Sequence, residues 1–157
     1  ATPRSDRLSG YRRALVEGGA TPDNRLVVIG GFRANTMEAG AATAAELLRR
    51  PGPRPTAIFT YNDLVAVGAM RTLAKAGIRV PEDMSVVGHD GIPMGAFTSP
   101  ALTTVAHHTA ELGRLAVAML CDLLDGRSPD QVERLLPTEL VVRESSGPPP
   151  AGAAEAR

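Results

Sequence analysis

Polar and aromatic side chains follow three consecutive predicted strands, at the point where each strand ends. The carboxyl ends of parallel strands meet at one edge of a sheet, where open α/β folds bind their ligands. We therefore expect these side chains to share one crevice. They are Phe32 and Arg33 after the first strand, Asn62 and Asp63 after the second, and His89 and Asp90 after the third.

The residue types in this crevice suit a small polar ligand. The side chains of Asp90 and Asn62 can hydrogen-bond hydroxyl groups, while Phe32 offers a flat apolar face to a ring. Arg7, near the start of the first predicted helix, can reach the same rim and supply a charge-assisted contact. Each residue also has a purely structural explanation. Asn62 suits a helix N-cap and Asp90 suits a turn. Arg7 suits a solvated helix face, and Phe32 suits packing in a loop or core.

Neither catalysis nor metal binding is predicted. The chain lacks a G-x-S-x-G elbow, a P-loop and a G-x-G-x-x-G turn after a strand. Asp90 with His89 or His107 would form a dyad, but no nucleophile is placed beside it. His107 and His108 are adjacent, so an extended segment points them in opposite directions, and no spaced cysteine or carboxylate cluster joins them. We expect no catalytic residue, no metal site and no cofactor.

The composition limits which binding partners and which cellular compartment we expect for this chain. The 157 residues suit one domain, and 17 basic residues balance 17 acidic ones. Zero net charge argues against this chain binding the phosphate backbone of a nucleic acid by itself. No apolar run approaches the ~20 residues of a membrane span, and no signal peptide is visible. Cys121 is the only cysteine, so an internal disulfide is impossible. These features predict a cytoplasmic protein without membrane contact.

Helices and strands alternate along the first ninety residues, which indicates right-handed βαβ units and a parallel sheet. We expect residues 1–143 to fold and residues 144–157, with three consecutive prolines and an alanine-rich end, to form a disordered tail. The predicted helices are Ser5–Val16, one from Asn35 or Thr36 to Pro51, Asn62–Ala76 and Thr109–Leu124. The predicted strands are Leu26–Ile29, Thr56–Thr60, Met84–Val87, Leu102–Val105 and Leu135–Val142.

Six runs of residues resemble those of LacI/GalR-type transcriptional regulators, and they keep the order of that family. Any one run would be a weak signal, but all six in order make a specific match from about Arg7 to Ser146. They are Arg7–Tyr11, Pro55–Phe59 leading into Asn62–Asp63, Ala66–Ala69, Val80–Asp90, Pro100–Val105 and Leu136–Arg143.

This resemblance implies the α/β fold of type I periplasmic binding proteins, a three-layer sandwich around a parallel sheet. The chain would supply mainly the C-terminal subdomain of the effector-binding core. Thr109–Leu124 would be one crossover helix of an N-terminal subdomain that the chain lacks. Its apolar face would have no partner, which predicts marginal stability or self-association. The loop Met94–Ser99 matches a segment that often contributes to dimerisation.

The resemblance also assigns ligand-binding residues. The effector-contacting arginine, asparagine and aspartate of the family fall on Arg7, Asn62 and Asp90. Phe32 falls on the position that stacks on a nucleobase in purine-responsive members. His107 holds a crossover position where glutamine is common, and it completes the predicted ligand-binding set. His89 stands where tyrosine or phenylalanine is commoner.

The expectation is therefore the sensing portion of a LacI/GalR-type regulator. A small sugar-like effector, with a nucleobase as the other option, would modulate operator binding by the intact homodimer. Operator DNA would be held only through an N-terminal helix-turn-helix, which is not in this chain. The sugar-binding protein of an ABC transporter is the alternative that shares the fold, and a small α/β enzyme is a weaker one.

Overall fold

A computed structural model describes residues 3–29, 35–127 and 133–151 of the chain. Within these ranges, no helix is long and apolar enough to cross a membrane. The helices are α1 (Pro3–Glu17), α2 (Met37–Arg49), α3 (Asp63–Lys75) and α4 (Thr109–Leu124), and the strands are β1 (Ala57–Phe59), β2 (Ser85–Asp90), β3 (Thr103–His107) and β4 (Thr138–Val141).

The four strands form one sheet in the order β1-β2-β3-β4. β1 pairs with β2, and β2 with β3, in parallel, as the alternation of elements predicts. β4 pairs antiparallel to β3, with its first residue, Thr138, opposite the last residue of β3, His107. The sheet is therefore mixed rather than wholly parallel, because the chain enters β4 at the end where β3 finishes.

The core lies between α3 and the parallel part of the sheet. Asn62 caps α3, since its side chain accepts a hydrogen bond from the Val65 amide, and Gly77 follows the helix with a φ of 72°. The buried apolar side chains of α3 are Ala66, Ala69, Met70 and Leu73. The buried apolar cluster comprises Ala66, Met70, Leu73, Ile78, Met84, Val86 and Leu102.

Two glycines let α2 and α3 cross in backbone contact. A Cβ on Gly40 would overlap the carbonyl of Val65, and a Cβ on Gly68 would overlap the carbonyl of Met37. Any side chain at either position would push the helices apart. The close crossing therefore depends on the absence of side chains at these two positions.

The predicted strand at Leu26–Ile29 is wrong. Asn24–Leu26 forms a 3-10 turn that begins at Asp23, and no strand is assigned to residues 27–29. The Arg50 guanidinium donates to the carbonyls of Arg25 and Val27. An apolar run forms a strand only when a neighbour completes its ladder of hydrogen bonds, and none of the described residues does so here. A cavity of about 480 Å³ separates this run from β1.

The predicted boundary of the folded portion at residue 143 is too early. Ser145 is fully buried, and its hydroxyl accepts a hydrogen bond from the Thr103 amide and donates one to the Val86 carbonyl. The Gly147 amide reaches the Ser85 hydroxyl at 3.1 Å. Hydrogen bonds that join the Ser145 and Ser85 hydroxyls to backbone atoms thus extend the folded portion to residue 147. Disorder stays a prediction for the end of the chain, and residues 152–157 lie outside the described ranges.

α4 matches its predicted bounds and has no buried residue. Several of its apolar side chains are more than half exposed, with Leu112 at 52%, Val117 at 61% and Leu120 at 55%, whereas Leu115 and Met119 are partly covered. An uncovered apolar face is what the family resemblance implies for this helix.

Candidate functional site

The candidate site lies where β2 and β3 end side by side. The parallel register pairs His89 with Val105 and Asp90 with Ala106, so both strands finish at one edge of the sheet. β2 was predicted to end at Val87, but its ladder continues to Asp90. β3 likewise continues to His107. His89, Asp90 and His107 therefore sit on strands rather than in loops.

A buried carboxylate holds this edge together. Asp63, at the start of α3, is fully buried and accepts hydrogen bonds from Thr104 Oγ1 at 2.6 Å and from the Ile92 amide at 2.8 Å. Gly88 leaves room for it, because a Cβ there would overlap Asp63 Oδ1. Asp63 thus does not enter the crevice, as its place after a strand had suggested. It positions β3 and the chain that follows Asp90.

Four side chains converge at the edge, and we call them the polar cluster: Arg7, His89, Asp90 and His107. Arg7 Nη2 lies 3.1 Å from His89 Nδ1 and 3.4 Å from Asp90 Oδ1. His89 Nδ1 lies 3.1 Å from Asp90 Oδ1. His107 Nε2 lies 3.2 Å from His89 Nδ1 and 3.7 Å from Asp90 Oδ1.

The polar cluster is partly exposed to solvent at Asp90 and His107 and is largely enclosed at His89. The side chains of Asp90 and His107 are 39% and 38% exposed, whereas His89 is 12% exposed. Burial lowers the pKa of His89, so its imidazole is neutral at neutral pH. Arg7 and Asp90 form an ion pair at 3.4 Å, so their opposite charges balance each other. The site is therefore polar and partly open to solvent.

The backbone at Asp90 is strained. Its φ of 108° is the one positive value among the described non-glycine residues, and Gly91 follows with a φ of 72°. Successive strand residues normally point to opposite faces. The reversal at Asp90 lets its carboxylate turn back toward His89. Strained backbone of this kind is concentrated at functional sites.

Tyr61 supports Arg7 from the end of β1. The Arg7 guanidinium carbon lies 4.6 Å from the centroid of the Tyr61 ring, in a cation–π contact. Arg7 Nε is enclosed and has no hydrogen-bond partner within the described ranges. Both residues also line the cavity beside β1, which therefore extends up to the polar cluster.

The structure brings together three of the five predicted ligand-binding residues: Arg7, Asp90 and His107. Asn62 is confirmed as a helix cap, its side-chain oxygen serving the Val65 amide 2.9 Å away. That cap does not use its Nδ2 group. Phe32 lies outside the described residues.

Sequence reasoning placed His89 in the crevice but not in the ligand-binding set, and it did not single out Tyr61. His89 directly precedes Asp90 at a strand end, and that position is why it was placed in the crevice. Tyr61 lies between Thr60 and Asn62 after β1, at the same kind of strand end. Its only signal was that position.

The chemistry open to this arrangement is recognition by hydrogen bonds. His89, Asp90 and His107 are also the described residues that could hold a metal ion. The hydrogen bonds and ion pairs within the described ranges place no serine, threonine or cysteine against the cluster as a nucleophile.

Comparison with known proteins places the chain in a family. A model of the periplasmic binding protein-like domain matches residues 1–146. The transcriptional repressor CytR of Escherichia coli K12 is 39% identical over 140 residues, which are 89% of this chain and 40% of that protein.

The chain belongs to the periplasmic binding protein-like domain family, and its relatives include LacI family regulators. A solved complex of the regulator CelR with cellobiose superposes with a TM-score of 0.82 at 39% identity, over 90% of this chain and 42% of that one. A LacI family regulator from Enterococcus faecium with bound ribose gives 0.80 at 32% identity, over 90% and 51%. The LacI/GalR resemblance and the predicted fold are confirmed. The chain spans about 40% of the length of CytR.

Proposed function

We propose that this chain is the effector-sensing portion of a LacI/GalR-type transcriptional regulator, and that its effector is a neutral sugar. The observation that carries the proposal is the convergence of Arg7, Asp90 and His107 at the ends of β2 and β3. Relatives of the same fold are described as holding cellobiose and ribose.

The polar cluster suits a vicinal pair of hydroxyl groups. One hydroxyl can donate to the Asp90 carboxylate while its neighbour accepts from Arg7, so a diol would bridge the two ends of the ion pair 3.4 Å apart. His107 and the Nδ2 group of Asn62 would contact further hydroxyls. Because the charges of Arg7 and Asp90 balance each other, a neutral ligand leaves neither charge uncompensated.

In the full-length protein, the sugar would act by binding two conformations unequally and so shifting a dimer between states that bind operator DNA and states that do not. This chain would itself contact neither DNA nor membrane and would perform no catalysis. The protein would be cytoplasmic, as its DNA target requires. The reported relatives are regulators, which favours this function over that of a transporter component.

The test is thermal unfolding of the full-length protein against a panel of neutral mono- and disaccharides, with nucleobases and nucleosides in parallel. A ligand that binds the native state raises the melting temperature by mass action. We expect one class of neutral sugar to do so and to change operator affinity.

Asp90→Asn is the informative variant because asparagine tolerates positive φ as aspartate does. Loss of hydrogen bonds to a charged acceptor costs about 1.5–3 kcal/mol, or roughly 10- to 150-fold in the Kd of the sugar. Asp125→Asn is the matched control, since that carboxylate lies on the surface beyond α4. Unchanged sugar affinity in Asp90→Asn, or stabilisation by nucleosides alone, would overturn the proposal.

A further inference from the structure

Three potential metal ligands in the polar cluster face one another. The nearest atoms are His89 Nδ1, Asp90 Oδ1 and His107 Nε2, and all three lie within 4.8 Å of one another. Their separations are 3.1, 3.2 and 3.7 Å. They come from the ends of two paired strands, so the sheet itself fixes their spacing.

These separations match the ligand shell of a small metal ion. A tetrahedral ion with bonds of about 2.0–2.1 Å keeps its ligands about 3.3–3.4 Å apart. A triangle with sides of 3.1, 3.2 and 3.7 Å has a common point about 2.0–2.1 Å from all three corners. Two imidazole nitrogens and one carboxylate oxygen are ligands that zinc and its neighbours in the first transition series prefer.

His89 Nδ1 cannot form hydrogen bonds with all three of its polar neighbours at once. Arg7, Asp90 and His107 each place a polar atom within 3.2 Å of it. A ring nitrogen carries either one proton or one lone pair. If Nδ1 carries a lone pair, it repels the Asp90 carboxylate. If Nδ1 carries a proton, it repels the Arg7 guanidinium. A cation bound to Nδ1, Oδ1 and Nε2 removes this conflict, provided that Arg7 withdraws.

We propose that His89, Asp90 and His107 form a site for a divalent transition-metal ion, which competes with the Arg7 guanidinium for the same atoms. Arg7 Nη2 lies within 3.4 Å of both His89 Nδ1 and Asp90 Oδ1. The guanidinium and a metal ion therefore cannot bind these two atoms at the same time. The exposed sides of Asp90 and His107 leave the remaining coordination positions to solvent or ligand. The metal site does not depend on the identity of the proposed effector.

The test is titration of the full-length, chelator-treated protein with Co²⁺, followed by displacement with Zn²⁺. We expect one Co²⁺ per chain, with visible absorption typical of tetrahedral coordination, and loss of that absorption when Zn²⁺ is added. Binding that does not saturate at one equivalent, or a spectrum of fully hydrated Co²⁺, would overturn the proposal.

Co²⁺ binding by two histidine variants tests where the ion is held. His107→Gln should weaken Co²⁺ binding at least tenfold, while His108→Gln, at the exposed neighbouring position outside the cluster, should leave it unchanged. Circular dichroism of both variants checks the fold. Equal weakening in the two variants, or none in His107→Gln, would place the ion elsewhere and contradict the assignment.

Arg7→Met separates this inference from the proposed function. Removing the guanidinium should strengthen Co²⁺ binding, whereas it should weaken binding of any sugar that uses Arg7. Weaker or unchanged Co²⁺ binding in Arg7→Met would refute the competition. A protein that binds Co²⁺ at this site but no sugar would retain the metal site and reject the sugar sensor.

Discussion

The hydrogen bond between Asp63 and Thr104 should be one of the strongest single contributions to the stability of this domain. Asp63 is fully buried, and it accepts from Thr104 Oγ1 at 2.6 Å and from the Ile92 amide at 2.8 Å. Asp63→Ala would leave both donors buried without an acceptor, at about 1–3 kcal/mol each. Together with the lost packing, we expect the free energy of unfolding to fall by about 3–5 kcal/mol.

A double-mutant cycle isolates the pair. Thr104→Val keeps the shape of the side chain and removes only the hydroxyl, so we expect it to cost about 1–3 kcal/mol by itself. In the Asp63→Ala background the same change should cost much less, because the hydroxyl no longer has its acceptor. The expected coupling energy is about 1.5–3 kcal/mol, the usual range for a hydrogen bond to a charged group.

The assay is urea unfolding of the wild type, both single variants and the double variant, followed by circular dichroism. Asp125→Ala is the control, since its carboxylate is 63% exposed and should change stability by no more than about 0.5 kcal/mol. If the Asp63 and Thr104 effects add to within about 0.5 kcal/mol, the bond does not stabilise the fold as reasoned here.

Four further substitutions test other parts of the fold. Gly68→Ala should destabilise the fold by about 1–3 kcal/mol because the added Cβ overlaps the α2 backbone. Gly113→Ala, which has open space around it, should stabilise the fold by about 0.5–1 kcal/mol. Similar melting temperatures for the two variants would contradict the close crossing of α2 and α3. Ser145→Ala should cost about 1–3 kcal/mol, since a buried amide loses its acceptor; wild-type resistance to urea would show that this anchor is dispensable. The hydrogen bond from Arg79 lowers the pKa of Asp83 to about 2, so its contribution to stability is complete above about pH 4 and is lost as the pH falls through 2. Asp83→Asn should therefore flatten the dependence of stability on pH between 4 and 2, and parallel curves for variant and wild type would refute this.

The sequence predicts best those elements whose signals are local. α3 has its cap at Asn62, its apolar spacing and its terminal glycine within one short stretch, and its predicted bounds hold to about one residue. The apolar run that becomes β2 is flanked by a turn and is buried by α3. Leu26–Ile29 has an equally apolar run, but a strand also needs a partner, and that requirement cannot be read from the run itself.

Long-range hydrogen bonds were beyond prediction from the sequence. Nothing local indicates that Ser145 serves backbone groups of β2 and β3, so the tail was predicted to begin before it. Likewise, Asp63 could be placed after a strand, but not assigned to Thr104, 41 residues away. The crevice was predicted where position along a strand sufficed, as for His89 and Asp90, but the contact between these two side chains was not, because it depends on the positive φ of Asp90.

The uncovered position of α4 has a consequence for the dynamics of the chain. The helix leaves the sheet after His107 and returns at Thr138, and these two residues face each other in the β3–β4 ladder. With no buried side chain to hold it, α4 can open without breaking any strand pairing. Its amides should then exchange with deuterium through local opening, at a free energy well below that of the β2 amides. Slowing of exchange in α4 would report directly, residue by residue, when another surface covers its apolar face.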